Sequence, residues 1–298
     1  MKRVAFAGLG AMGKGMAGNV LRAGFPLAVY DVRPEPGREL AALGARAAAT
    51  AREAAAEADI FILMVVNHAQ AEQVLFGPEG AAAALRPGAT VVLLSTVAPA
   101  AARRLGENLA GRGLRFLDAP VSGGTAGAAA GTLTIMVGGP AALLEECRDV
   151  LAAMGRLIRH AGEQPGAGEA MKIVNNLLVG VTLAASAEAL TLATKLGLDP
   201  RLTHEVLLSG AADSWVVRSV TPRMLTGDYT NPAAQLNLFV KDLAAALEAG
   251  DDVALPLPLA SSAYQQFLAG AAAGWGAEDD AAVVKVYERT AGARVCDA

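Results

Sequence analysis

The sequence predicts an α/β protein in two parts, a doubly wound parallel sheet followed by an all-α region that opens on a long helix. Three observations carry this. Short apolar runs alternate with alanine-rich, helix-forming stretches through the first half of the chain; a glycine-rich segment with one proline interrupts it at 162–168; and strand signals vanish beyond that point. The predicted domains are therefore 1–162 and 163–298.

The apolar runs Val4 to Leu9, Leu27 to Tyr30, Ile60 to Val66, Thr90 to Leu94, Arg115 to Leu117 and Thr132 to Val137 read as buried strands. Glu39 to Ala48 and Ala98 to Ala110 have helix-forming composition between them. After the boundary, Asp199-Pro200, Asn231-Pro232 and Leu255-Pro256-Leu257-Pro258 mark breaks between helices.

Composition narrows the function classes. With 298 residues, 53 % of them hydrophobic, and a net charge of -4, the chain can bury a sizeable core. No basic stripe with interleaved aromatics is present, so nucleic acid is not an expected partner. Cys147 and Cys296 stand far apart and His68, His160 and His204 form no ligand cluster with them, which predicts reduced thiols and no metal site. The run Ile60 to Val66 is too short to span a bilayer, and residues 173–193 are interrupted by Asn175, Asn176, Ser186 and Glu188. A cytoplasmic protein with no membrane partner is expected. The long apolar helix after residue 172 suggests a domain or subunit interface; a homodimer or homotetramer is the expected association state, although the helix itself does not fix it.

Gly8-Leu9-Gly10-Ala11-Met12-Gly13 is a G-x-G-x-x-G between a predicted strand and a predicted helix. That is the setting of a dinucleotide-binding Rossmann domain: the first glycine turns the chain, the second admits a pyrophosphate to the helix N-terminus, and the third lets helix and strand pack closely. Asp31 ends the next strand, where a carboxylate accepts from the adenosine ribose and repels a 2'-phosphate. The expected cofactor is NAD, with NADP kept open by Arg33. Backbone groups of Val65 and Val66, the adjacent Asn67 and the hydroxyl of Thr96 follow later strand ends and are candidates to meet the nicotinamide half.

Asp118-Ala119-Pro120-Val121-Ser122-Gly123-Gly124-Thr125 follows another strand. Successive N–H groups at Ser122, Gly123 and Gly124 can form a nest for a carboxylate, although a plain glycine turn reads the same way. Lys172 is one of six lysines against nineteen arginines and heads a long apolar stretch. Buried there, an ammonium would have its charged form disfavoured and could transfer protons; on a solvated helix edge it would do nothing of the kind. Asn176 lies one helical turn further on, on the same face. Lys241, beside Asp242, is a second lysine in an apolar helical segment.

Together these segments resemble the β-hydroxyacid dehydrogenase family, which includes 3-hydroxyisobutyrate dehydrogenases, tartronate semialdehyde reductases and threonate dehydrogenases. Gly8 to Ala17 is similar to its nucleotide motif, and Asp118 to Gly124 with Gly131-Thr132-Leu133 to its substrate motif. Gly168-x-x-x-Lys172-x-x-Asn175-Asn176 is similar to its catalytic helix, and Lys241-Asp242-Leu243 to its cofactor-closing segment. The resemblance implies Lys172 as general acid/base, Ser122, Gly123, Gly124 and Asn176 as ligands of a small hydroxy acid, and Lys241 near the nicotinamide. Asn67 departs from the proline common in relatives. Within the wider superfamily, imine reductases carry another residue at the Lys172 position, 6-phosphogluconate dehydrogenases have a much longer helical region, and silent scaffold relatives lose the lysine. The segment Gly274 to Val286 leans toward threonate dehydrogenases. Gly210 to Trp215 and Phe239 are pocket candidates by resemblance, with core packing the other reading of Trp215.

Overall fold

The computed structural model describes residues 1–296; the last two positions of the second predicted domain, 297 and 298, lie outside the described residues. The chain divides into two units, Met1–Lys172 and Ile173–Ala298.

The first unit holds strands β1 (Val4–Ala7), β2 (Leu27–Tyr30), β3 (Arg46–Ala47), β4 (Ile60–Leu63), β5 (Thr90–Leu93), β6 (Arg115–Asp118), β7 (Val121–Ser122), β8 (Leu133–Gly138) and β9 (Gly155–Gly162). Its helices are α1 (Gly13–Arg22), α2 (Pro34–Ala41), α3 (Ala51–Ala55), α4 (His68–Phe76), α5 (Pro99–Ala110), α6 (Gly124–Ala130) and α7 (Ala141–Ala152). The sheet runs β3-β2-β1-β4-β5-β6-β8-β7, with β9 also paired to β8. Pairing is parallel from β3 to β6, turns antiparallel at β6 with β8 and at β8 with β7, and is parallel again between β8 and β9.

Alternation along each central strand builds two cores. Phe6, Ile62, Val92 and Leu117 point to one face and Ala5, Phe61, Val91 and Phe116 to the other, so helices cover both sides. Each buried Val, Leu, Ile or Phe among them contributes about 1.5–3 kcal/mol. The order reverses between β1 and β4, where a doubly wound sheet opens its ligand crevice.

One local expectation changes, and two strands are unexpected. Glu39 to Ala48 is not one helix: α2 stops at Ala41, Gly44 turns the chain at φ 109°, and Arg46–Ala47 adds an edge strand to β2. β9 escapes an apolar-run search because Arg156 and Arg159 interrupt it at the sheet edge. β7 is only two residues long, too short to leave a pattern.

Helix α8 (Ala167–Lys195) begins in the first unit and continues into the second, which adds α9 (Pro200–Ser209), α10 (Trp215–Ser219), α11 (Thr221–Thr226), α12 (Leu236–Asp252), α13 (Pro258–Gly270) and α14 (Val284–Ala291). Two of the predicted breaks fall at helix starts, Pro200 opening α9 with Asp199 accepting from the Arg201 N–H and Pro258 opening α13, while Asn231-Pro232 lies in the link between α11 and α12. By length and composition α8 could cross a membrane. Its Leu183, Ala187 and Leu190, however, enter a core with Met224, Leu243 and the stacked pair Phe239 and Phe267, 5.2 Å apart, as a core helix does.

Candidate active site

The glycines of the fingerprint divide their work by space. Gly8 sits at φ 91°, and a Cβ there would lie 2.1 Å from the Met64 carbonyl oxygen, so the ends of β1 and β4 touch through it. A Cβ on Gly13 would lie 1.9 Å from the Gly8 oxygen, while one on Gly10 would meet nothing within 4 Å. Gly8 and Gly13 are needed by the protein itself; Gly10 faces open space. The N-terminus of α1 beside it has no side-chain cap, which leaves donors and the positive end of the helix for an anion. Leu9, Gly10 and Ala11 line a groove with Lys14, Arg22 and Arg33. A dinucleotide fits this setting: its pyrophosphate would take the Gly10 opening and its ribose the Asp31 carboxylate.

That carboxylate is built into the same loop. The Leu9 N–H donates to Asp31 Oδ2 (2.6 Å) and the Arg33 N–H to Oδ1 (2.9 Å). The exposed Arg33 guanidinium is 3.4 Å from Oδ1, near enough for a 2'-phosphate at the ribose to meet a cation as well as an anion.

On the far side of the crevice, the Val65 N–H donates to buried Ser95 Oγ (2.7 Å) and the Val66 N–H to Gln70 Oε1 (3.0 Å). These N–H groups are committed to the protein, so the backbone donors expected to meet a nicotinamide are not free to do so, and only carbonyls and side chains there would be. Asn67 caps α4, accepting from the Gln70 N–H at 2.9 Å. Thr96 is half-buried just past β5.

The glycine loop is locked to the fingerprint helix. Buried Asn19 of α1 donates to the Ala128 carbonyl of α6 (2.7 Å), and a Cβ on Gly15 would come within 3.1 Å of that same backbone. Ser122 pairs with Thr134, and Gly123 and Gly124 follow at φ 133° and 63°. Space beside Gly124 is open.

Lys172 is 8 % exposed, in the second turn of α8. Asn176, one turn later, is also buried; its Nδ2 donates to Asp242 Oδ2 (2.5 Å) and its Oδ1 accepts from Asn175 Nδ2 (2.9 Å). Lys241 Nζ lies 2.9 Å from Asp242 Oδ1. Asp242, 3 % exposed, thus joins Asn176 and Lys241 through one carboxylate.

Comparison with known proteins identifies the family. Residues 3–162 match the model described as the NAD binding domain of 6-phosphogluconate dehydrogenase, and residues 166–287 match that of the NAD-binding region of NADP-dependent 3-hydroxyisobutyrate dehydrogenase. The chain is 43 % identical to L-threonate dehydrogenase of Cupriavidus necator, covering 96 % of each. It is 40 % identical to 2-(hydroxymethyl)glutarate dehydrogenase of Eubacterium barkeri, covering 98 % of this chain and 97 % of that one. The chain belongs to the β-hydroxyacid dehydrogenase family. A solved family structure, a 3-hydroxyisobutyrate dehydrogenase from Salmonella typhimurium, superposes with a TM-score of 0.89 at 39 % identity, covering 96 % of this chain and all of the other.

Three buried residues that tie together the segments of the candidate site escape sequence reasoning. Asn19 looks like an ordinary helix residue, Ser95 like a strand-end turn, and Asp242 like the surface partner of Lys241; what distinguishes each is burial with a bond to a distant segment. A polar residue inside an apolar helical face is the one sequence signal they offer, and it applies to Asn19 and Asp242. Trp215 is 63 % exposed, which removes core packing as its explanation.

Proposed function

We propose that Lys172 moves the hydroxyl proton of a small hydroxy acid while the nicotinamide takes the hydride. The chain is an NAD(P)-dependent oxidoreductase that interconverts a β-hydroxy acid and its semialdehyde or keto acid. The observation carrying the role of Lys172 is its burial at the start of α8, one turn before buried Asn176. In oxidation the neutral amine accepts the proton; in reduction the ammonium polarises the carbonyl and returns it. When bound, the dinucleotide supplies the hydride acceptor or donor.

Ser122, Gly123 and Gly124 are proposed to hold the substrate carboxylate, with Asn176 as a further ligand. Lys241 is assigned to the nicotinamide side. Gly8 to Gly13, Asp31, Val65, Val66, Asn67 and Thr96 are assigned to the cofactor, with NAD preferred because Asp31 stands at the ribose position. The proposed division of labour places cofactor binding in 1–162 and substrate and subunit contacts in 163–298. A homodimer or homotetramer is proposed from the exposed Met171, Val174 and Leu178 on α8, and sedimentation of the purified protein tests the association state; a cytoplasmic location is proposed from the likeness to bacterial metabolic enzymes.

Identity to L-threonate dehydrogenase favours a four-carbon polyhydroxy acid; the fit to a 3-hydroxyisobutyrate dehydrogenase structure supports the three-carbon-chain reading, and tartronate semialdehyde stands third. The test is a panel of three- and four-carbon hydroxy acids and their amides with each cofactor, followed by nicotinamide absorbance. Threonate should lead and the amides should fail. Equal rates for acids and amides would remove the carboxylate nest.

A further inference from the structure

We propose that Asp118 is a positioning residue: from the end of β6 it caps the N-terminus of α8 and so sets where Lys172 stands relative to the glycine loop. The proposal rests on the acid/base reading of Lys172 for its catalytic consequence. The anchor itself rests on geometry alone.

A helix leaves its first N–H groups without internal partners, and a side chain at the position before the first turn normally accepts from one of them. Here that position is Gly166, whose carbonyl accepts the first helical bond from the Ala170 N–H (2.9 Å). It has no side chain to offer. Nor could it carry one easily, since it sits at φ 93° and a Cβ would lie 2.7 Å from the Pro99 carbonyl oxygen. Asp118 supplies the missing cap from 48 residues upstream: its Oδ1 accepts from the Gly166 N–H (2.7 Å) and its Oδ2 from the Glu169 N–H (2.9 Å). The Glu169 bond is the one a local capping side chain would make.

Two more glycines clear the path. A Cβ on Gly138 would lie 2.5 Å from Asp118 Oδ1 and 2.6 Å from the Gly168 nitrogen, and one on Gly168 would lie 2.3 Å from the Met136 carbonyl oxygen and 2.9 Å from Asp118 Oδ2. Three segments, β6, β8 and the first turn of α8, therefore meet around one fully buried carboxylate. Burial pushes that carboxyl above its usual range, against the backbone N–H bonds that pull it down. An uncompensated acid here would be costly; a helix N-terminus is what makes an ionised one tolerable.

The functional consequence follows from chain order. Asp118 stands four residues before Ser122 in the same segment, and Lys172 stands three residues, about 4.5 Å of helix, beyond the bonded Glu169. One residue thus fixes both the root of the proposed carboxylate loop and the start of the helix that carries the proton-transfer group. Misplacing a reacting group by about 1 Å can cost on the order of 10²-fold in rate.

The test compares Asp118→Ala with Asp118→Asn, which keeps the volume and one acceptor and so guards against a variant that does not fold. Three readouts are taken on the full chain: hydrogen exchange of the amides at 166–171, NAD affinity, and kcat with its solvent deuterium isotope effect. Asp118→Ala should lower kcat by about 10²-fold with NAD affinity within about threefold, raise the solvent isotope effect as proton transfer becomes limiting, and speed exchange at 166–171. Asp118→Asn should do each of these to a smaller degree. Wild-type exchange at 166–171 in both variants would overturn the anchor. Faster exchange with an unchanged isotope effect, and a rate loss that only follows the folded fraction, would overturn the positioning role. Lys172→Ala separates the two readings: normal turnover there sinks the acid/base assignment, while exchange in the Asp118 variants still judges the anchor.

Discussion

The nucleotide end of the first unit and the polar interior of the second are built in opposite ways. At the fingerprint, the working parts are backbone and empty space: Gly8 and Gly13 let chain segments touch, Gly10 leaves room, and a helix N-terminus faces that room. In the helical unit the working parts are buried side chains. Asp242 ties Asn176 to Lys241, and the Arg223 guanidinium bridges Asp279 and Asp280, both at 2.7 Å. A backbone site fails when a side chain is added. A side-chain site fails when one partner is removed.

The largest expected effect breaks the second kind. Burial and the neighbouring Asp279 push the Asp280 carboxyl up to about 7, with Arg223 opposing. Arg223→Ala leaves two buried carboxyls without their cation and should cost about 3–5 kcal/mol. The sign with pH is defined: a carboxyl whose folded-state pKa lies above its unfolded value binds the extra proton in the native state, so stability falls as pH rises toward that folded pKa. The melting deficit of the variant should therefore be larger at about pH 8 than at about pH 5, and a deficit independent of pH would show that the carboxyls do not carry the cost.

The fingerprint supplies the next contrast. Gly13→Ala should destabilise by about 3 kcal/mol through collision with the Gly8 carbonyl, whereas Gly10→Ala should melt like the parent and lose about tenfold or more in NAD affinity. Calorimetric melting with NAD titration checks both, and equal behaviour of the two variants would erase the distinction between structural and ligand-facing glycines.

These differences explain what the sequence could show. Glycine spacing and apolar alternation are periodic, local signals, so the doubly wound sheet and the start of α1 are readable from the chain. The second unit's buried polar cluster is visible only through family motifs, because Asn176 and Asp242 are 66 positions apart and no local pattern announces their 2.5 Å bond. Asp118 was visible as part of a motif but its partner was not: a remote cap looks like a strand-end acid until the helix it serves is in place. β3, β7 and β9 were lost for a simpler reason, being short or charged at the edge of the sheet.

A smaller effect sharpens the cofactor side. Asp31→Asn removes the charge proposed to disfavour a 2'-phosphate while leaving Arg33 beside it, so the ratio of NAD to NADP catalytic efficiencies should narrow by about tenfold, on the order of 1.4 kcal/mol. An unchanged ratio would place the discrimination elsewhere.

The central proposal is one chemical event, the transfer of a hydroxyl proton by Lys172, and the turnover of Lys172→Ala tests it most directly. Pre-steady-state and steady-state rates with the best substrate of the panel should fall by about 10²–10⁴-fold, with NAD affinity within a few fold and the melting temperature preserved. A variant that binds NAD normally and turns over at near the parent rate would contradict the assignment.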